Sequence, residues 1–136
     1  MSSFKIFDIA GSGMSAQSVR LNTVASNLAN ADSVSSTPQG VYRARHPVFQ
    51  ALVGKAGDNA SAGVSVTGIA ESKAAPETRY DPGNPLADAQ GYVYAPSVNV
   101  VEEMTDMISA SRSYQNNVEV LSTTRDLMLA TLKLGQ

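Results

Sequence analysis

The chain has 136 residues, a net charge of −2, 43% hydrophobic and only 6% aromatic residues, and neither Trp nor Cys. That length fits one domain, and the missing cysteine excludes disulfides, thiolate nucleophiles and Cys-based zinc sites. The mildly acidic balance gives no basic field for a phosphate backbone, so no nucleic-acid partner is expected.

Composition divides the chain into 1–32, 33–96 and 97–136. The outer segments lack proline and hold three of the ten glycines, whereas the middle holds all six prolines, the only histidine and four of the five tyrosines. The expected fold class is mainly α with a small β insert. Long N- and C-terminal helices pair as a coiled coil around a central β-rich or irregular module.

The N-terminal segment does not read as a secretory signal. Asp8 breaks the only apolar run, Ile6 to Ala10, and a working signal core needs about 7–15 residues. No stretch approaches the roughly 18 apolar residues that span a bilayer, so direct membrane insertion is not expected. The chain is expected in the cytosol, or to leave the cell by a route that keeps its N-terminus. Instead the segment carries a helical stripe, Phe7, Ala10, Met14, Gln17, Leu21, Val24, Leu28 and Ala31, whose mean spacing suits coiled-coil packing. Asn30 and Asp32-Ser33 mark its end. Gly11-Ser12-Gly13-Met14-Ser15-Ala16 matches the glycine fingerprint of dinucleotide-binding folds, with Asp32 downstream. The stripe runs through those glycines, however, and no second βαβ unit follows. No cofactor is expected.

The middle segment reads as short strands and turns. Strand-like alternation occurs at 41–45 (VYRAR), 63–69 (GVSVTGI) and 91–94 (GYVY), and 81–85 (DPGNP) is a strong turn signal. Residues 54–63 (GKAGDNASAG) read as a flexible loop. His46 has no His or Cys companion and reads as a surface or strand-edge residue rather than a metal ligand. Tyr80, Tyr92 and Tyr94 suggest a small aromatic face, more in keeping with core or interface than with a ligand pocket.

In the C-terminal segment, Asn99 is a helix cap with Glu102 at the third helical position. Glu102, Glu103 and Asp106 suit the positive end of the helix dipole, and Lys133 the negative end, with Gly135 as a stop. The stripe here is Val100, Met104, Met107, Ser111, Tyr114, Val118, Leu121, Arg125, Met128 and Leu132. At 1.5 Å per residue the two helices would be about 40 and 50 Å long, too long to lie within a compact domain of this size. No P-loop, nucleophile elbow or zinc spacing is present, and no catalytic or metal-binding residues are expected.

Arg20 is the only charged residue between Asp8 and Asp32. A solvent-exposed helix normally carries a charged outer face. Cover by the chain's own C-terminal helix would explain one uncharged side. A nearly uncharged circumference suggests neighbours on several sides. The marginal stripe residues also predict helical ends that are weakly ordered until they dock.

Ser26-Asn27-Leu28-Ala29-Asn30-Ala31 resembles the signature of the flagellar axial proteins, the rod, hook and hook-associated components. Tyr42-Arg43-Ala44 resembles the segment that follows that signature in the family. The blocks at 81–88 (DPGNPLAD), 99–104 (NVVEEM), 109–120 (SASRSYQNNVEV) and 134–136 (LGQ) are similar to the proximal-rod branch. The resemblance implies a structural, torque-transmitting rod subunit of the basal body, exported unprocessed by the flagellar type III apparatus. Implied partners are further copies, other rod proteins, the rod-base adaptor and the MS-ring protein. The expected assembly interface comprises Phe7, Met14, Leu21, Val24, Asn27, Leu28, Asn30, Met104, Met107, Tyr114, Val118, Leu121, Met128 and Leu132. The competing expectation is a secretion-associated helical hairpin acting as chaperone or adhesin.

Overall fold

The computed structural model describes residues 3–52 and 63–134. Its elements, in order, are α1 (Ser3–Asn30), a 3-10 turn at Pro38–Gly40, β1 (Arg45–Leu52), β2 (Gly63–Glu71), β3 (Glu77–Tyr80), β4 (Tyr92–Ala95) and α2 (Val100–Leu134). Among the described residues, no helix is long and apolar enough to cross a membrane.

Asn99 starts α2 by accepting hydrogen bonds at Oδ1 from the Val101 and Glu102 amides, at 3.1 and 3.3 Å. Two donors that a helix start would otherwise leave unpaired are thereby satisfied. Lys133 lies in its last turn; the expected stop at Gly135 is outside the described residues. At the end of α1 the Asn30 side chain donates back to the Ser26 carbonyl, and Ser33 closes the following turn on the Asn30 carbonyl. The glycines of the dinucleotide-like motif lie inside α1, which already includes Ile6–Ile9 in place of a strand.

α1 and α2 pack antiparallel. Asn27 meets Glu103, Arg20 meets Asp106, and Gly13 lies against Asn117. Beside α2, α1 also carries the β1–β2 hairpin, which runs back along the helix toward its N-terminus. One end is fixed where Asn27 meets Arg45, the other where the Val64 amide donates to Ser12 Oγ at 3.1 Å. The lengths match: fifteen helical residues and seven strand residues each span about 23 Å. The hairpin has a bulge at Val48/Phe49, where Val48 pairs with Gly68 and Phe49 with Val66. The extra residue, Thr67, donates its hydroxyl to the Val48 carbonyl.

The strand expected at 41–45 begins only at Arg45. Val41 and Ala44 instead precede the strand and are buried. β3 pairs with β4 although its sequence, Glu-Thr-Arg-Tyr, shows no apolar alternation. The expected strand at 63–69 is β2, and that at 91–94 is β4, shifted by one residue. The loop expected at 54–63 falls outside the described residues, apart from Gly63, which opens β2.

Candidate assembly interface

The best-buried polar group is Asn27, which is 0% exposed. Its Oδ1 accepts from Tyr42 Oη and the Arg45 amide, both at 2.8 Å, and its Nδ2 donates to the Arg45 carbonyl at 2.9 Å and Glu103 Oε1 at 3.0 Å. All four hydrogen-bonding positions of the carboxamide are used. The Arg45 amide can only donate, which fixes which end of the side chain is oxygen. Ser26 Oγ shares the Tyr42 hydroxyl at 3.1 Å. One side chain thus joins α1, the start of β1 and the start of α2.

The acidic group at the start of α2 divides by role. Glu103 is buried on Asn27, and Asp106 pairs with Arg20 at 2.7 Å. Helix-dipole electrostatics suits all three carboxylates, but two of them also make tertiary contacts. Arg20, the lone charge of the α1 midsection, is the partner of one of them. The signal for this was its isolation in an otherwise uncharged helix.

The seam that α2 presents to α1 differs from its apolar stripe. The buried residues of α2 are Glu103, Ala110 and Thr124, spaced by multiples of seven. Asp106, Met107, Asn117, Leu121 and Met128 are half-buried beside them. On one flank of this seam Val100, Met104, Ile108, Val118 and Leu129 are exposed, and on the other Val120, Leu127 and Leu134. Within the chain, then, the helices meet through small and polar side chains, and most large apolar side chains of α2 face outward.

The expected interface residues therefore separate into three groups. Val24 and Asn27 are buried within the chain. Phe7, Met14, Leu21, Leu28, Asn30, Met107, Leu121 and Met128 are half-buried at the borders of the helix pair. Met104, Tyr114, Val118 and Leu132 are exposed, Val118 by 45% and Leu132 by 67%. The outward side of α1 carries Gly11, Ser15, Ser18, Asn22, Ala25 and Ala29, small side chains that admit close approach by another backbone. His46 is exposed on β1, and no group of three or more metal-ligating side chains occurs among the described residues.

The loop between β3 and β4 is built on Asp88. Its Oδ1 accepts from the Gln90 and Tyr92 amides, both at 2.9 Å, and its Oδ2 from Tyr94 Oη at 3.3 Å. The Tyr92 amide, followed by those of Gln90 and Gly91 and the Tyr94 hydroxyl, holds the Asp88 carboxyl below its ordinary value of 3.8 despite some desolvation. Desolvation, then the Asp88 charge, pushes the Tyr94 phenol up.

Two family models match the chain. One, described as flagella basal body rod protein, covers residues 7–35. The other, described as flagellar basal body rod FlgEFG protein C-terminal, covers residues 89–134. The chain is 56% identical to the flagellar basal-body rod protein FlgC of Salmonella typhimurium and 57% identical to that of Escherichia coli O157:H7. It is 36% identical to a FlgC of Buchnera aphidicola. Each match covers 100% of both chains.

Proposed function

The chain belongs to the FlgC family of flagellar basal-body rod proteins, and we propose that it is a structural subunit of the rod, assembled through α1 and α2. The observation that carries this reading is the outward apolar face of α2. A helix that meets its own partner through Glu103, Ala110 and Thr124 while exposing Met104, Ile108 and Val118 is built for further neighbours. The uncharged outer side of α1 adds a second face suited to close packing.

In this reading the role is mechanical and involves no catalysis. The N- and C-terminal helices pair as a coiled coil and pack laterally with those of other subunits, and the resulting stiffness transmits torque along the rod. The partners are further copies, other rod proteins, the rod-base adaptor and the MS-ring protein. The subunit is delivered unprocessed by the flagellar type III export apparatus. Segments 1–32 and 97–136 form the assembly region, and 33–96 lies outside it. Full-length similarity to rod proteins favours this reading over a helical chaperone or adhesin.

The test is Val118→Asp, an outward substitution that leaves the intramolecular seam untouched. The variant should keep the far-UV circular dichroism of the parent chain and be exported, yet be missing from purified basal bodies. If Val118→Asp rods assembled at parental levels in motile cells, the outward face of α2 would not be the interface.

A further inference from the structure

The β3–β4 sheet has an outward face that neither helix of the chain packs against. Pairing places Tyr80 opposite Tyr92 and Thr78 opposite Tyr94, so three of the chain's eight Tyr and Phe residues share one face. The opposite face carries Val93, which is fully buried. Tyr80 is 64% exposed and Tyr92 42%, their rings edge to face at 5.3 Å between centroids. Such exposure is costly for a chain so poor in aromatics unless something covers the rings.

The face is also held rigid. Gly91 has φ +84, and a Cβ there would lie 2.9 Å from the Tyr80 ring, so the backbone closes directly beneath it. Asp88 fixes the loop through two amides and ties down Tyr94. A face whose backbone and Tyr94 ring are already fixed loses less entropy when a partner docks.

Charge indicates the kind of partner. The loop 81–91 contains Asp81 and Asp88 and no Lys, Arg or His. The one cation of the paired strands, Arg79, alternates to the opposite face with Val93. A hydrogen bond from Tyr94 to a carboxylate enriches its ring in electron density, which strengthens attraction for a cation above it. The chain already contains this arrangement in completed form: Arg45 lies over the Tyr42 ring at 5.8 Å and pairs with Glu71 at 3.4 Å. At Tyr80, Tyr92 and Asp88 the rings and the carboxylate are present, and no arginine of the chain occupies them.

We propose that the Tyr80–Tyr92–Tyr94 face, with Asp88 at its edge, is a docking site for an arginine side chain presented by a neighbouring protein. A planar guanidinium can stack on one tyrosine ring while its N–H groups reach the carboxylate, which an ammonium or an aliphatic side chain cannot do together. This site is separate from the helical faces, so its failure would leave the rod-subunit reading standing.

The test uses the full chain and a fluorescent peptide, Gly-Arg-Gly-Arg-Gly, beside the same peptide with citrulline for arginine. Citrulline keeps the shape and removes the charge. Tyr80→Phe/Tyr92→Phe should bind the arginine peptide as the parent does. Tyr80→Leu/Tyr92→Leu, which keeps apolar area but removes the rings, should weaken it about tenfold. Asp88→Asn should also weaken it, with circular dichroism confirming that each variant is folded. No binding of the arginine peptide, equal binding of the citrulline peptide, or full binding by the leucine pair would each overturn the proposal.

Discussion

Asn27 lies in the stretch that resembles the axial-family signature, and its side chain is spent entirely inside the chain. The carboxamide meets a backbone amide and carbonyl of one residue, Arg45, as a neighbouring strand would, while also bonding Tyr42 and Glu103. Asn27→Ala leaves those four groups short of a partner in a buried site, at about 1–3 kcal/mol for each that water cannot reach. Asn27→Asp is more diagnostic because the shape is kept. It replaces two donors with a carboxylate oxygen facing the Glu103 carboxylate across 3.0 Å. A single proton shared between the two carboxyls would restore a donor. The introduced carboxyl therefore holds its proton more tightly in the folded chain than in the unfolded one. Sign follows from that: the variant is weakest at neutral pH and recovers as the pH falls. The protection factor of the Arg45 amide, with the intrinsic pH dependence of exchange divided out, should be low at pH 7 and rise toward pH 4 in Asn27→Asp, with no such rise in Asn27→Ala. Equal protection in parent and Asp variant at neutral pH would mean that the network does not hold the insert.

At the level of elements, the two glycines of α1 have different environments. A Cβ at Gly13 would lie 3.0 Å from the Asn117 amide, whereas at Gly11 nothing lies within 4 Å. Asn117 cannot easily withdraw, since its Nδ2 is bonded to the Ser113 carbonyl at 2.9 Å. Each Gly→Ala change gains about 1 kcal/mol of helix propensity. Gly11→Ala should therefore raise the helicity of the free chain, while Gly13→Ala should gain little or lose, as read by circular dichroism. A matching gain at both would show that Gly13 does not set the helix crossing. The helices, the Asn99 cap and the end of α1 at Asn30 were legible in the sequence because periodicity and capping are local. Less legible was which stripe of α2 turns inward. An apolar stripe marks where large side chains gather, but α1 offers Gly13, Arg20 and Asn27, and these are complemented by Asn117, Asp106 and Glu103. The insert was hardest to read, because Val41 and Ala44 lie in a strand-like stretch yet precede the strand, and β3 shows no alternation. Pairing partners supplied by distant residues leave no local mark.

In the whole molecule, burial is concentrated where the second half of α1, the insert and the first half of α2 meet. Thr23, Val24, Asn27, Val41, Ala44, Val93 and Glu103 are buried there, whereas the rest of the helix pair buries Ala10, Ala16, Ala110 and Thr124. Apart from Pro96, every buried apolar side chain among the described residues is alanine or valine. Such small groups remove little area from water at about 25 cal/mol per Å², against about 1–2 kcal/mol of backbone entropy for each ordered residue. The free chain should hence be stable near Asn27 and frayed at the far ends of both helices. Hydrogen exchange of the dilute monomer should be slow at 20–30, 41–48 and 92–110, and fast at 3–15 and 115–134. In assembled basal bodies the fast regions should become protected, because the neighbours supply the contacts that Val118, Leu127 and Leu132 lack in isolation. Uniform protection along both helices in the monomer would instead show that the hairpin is self-sufficient, and that its apolar faces join preformed rods of structure without any ordering step.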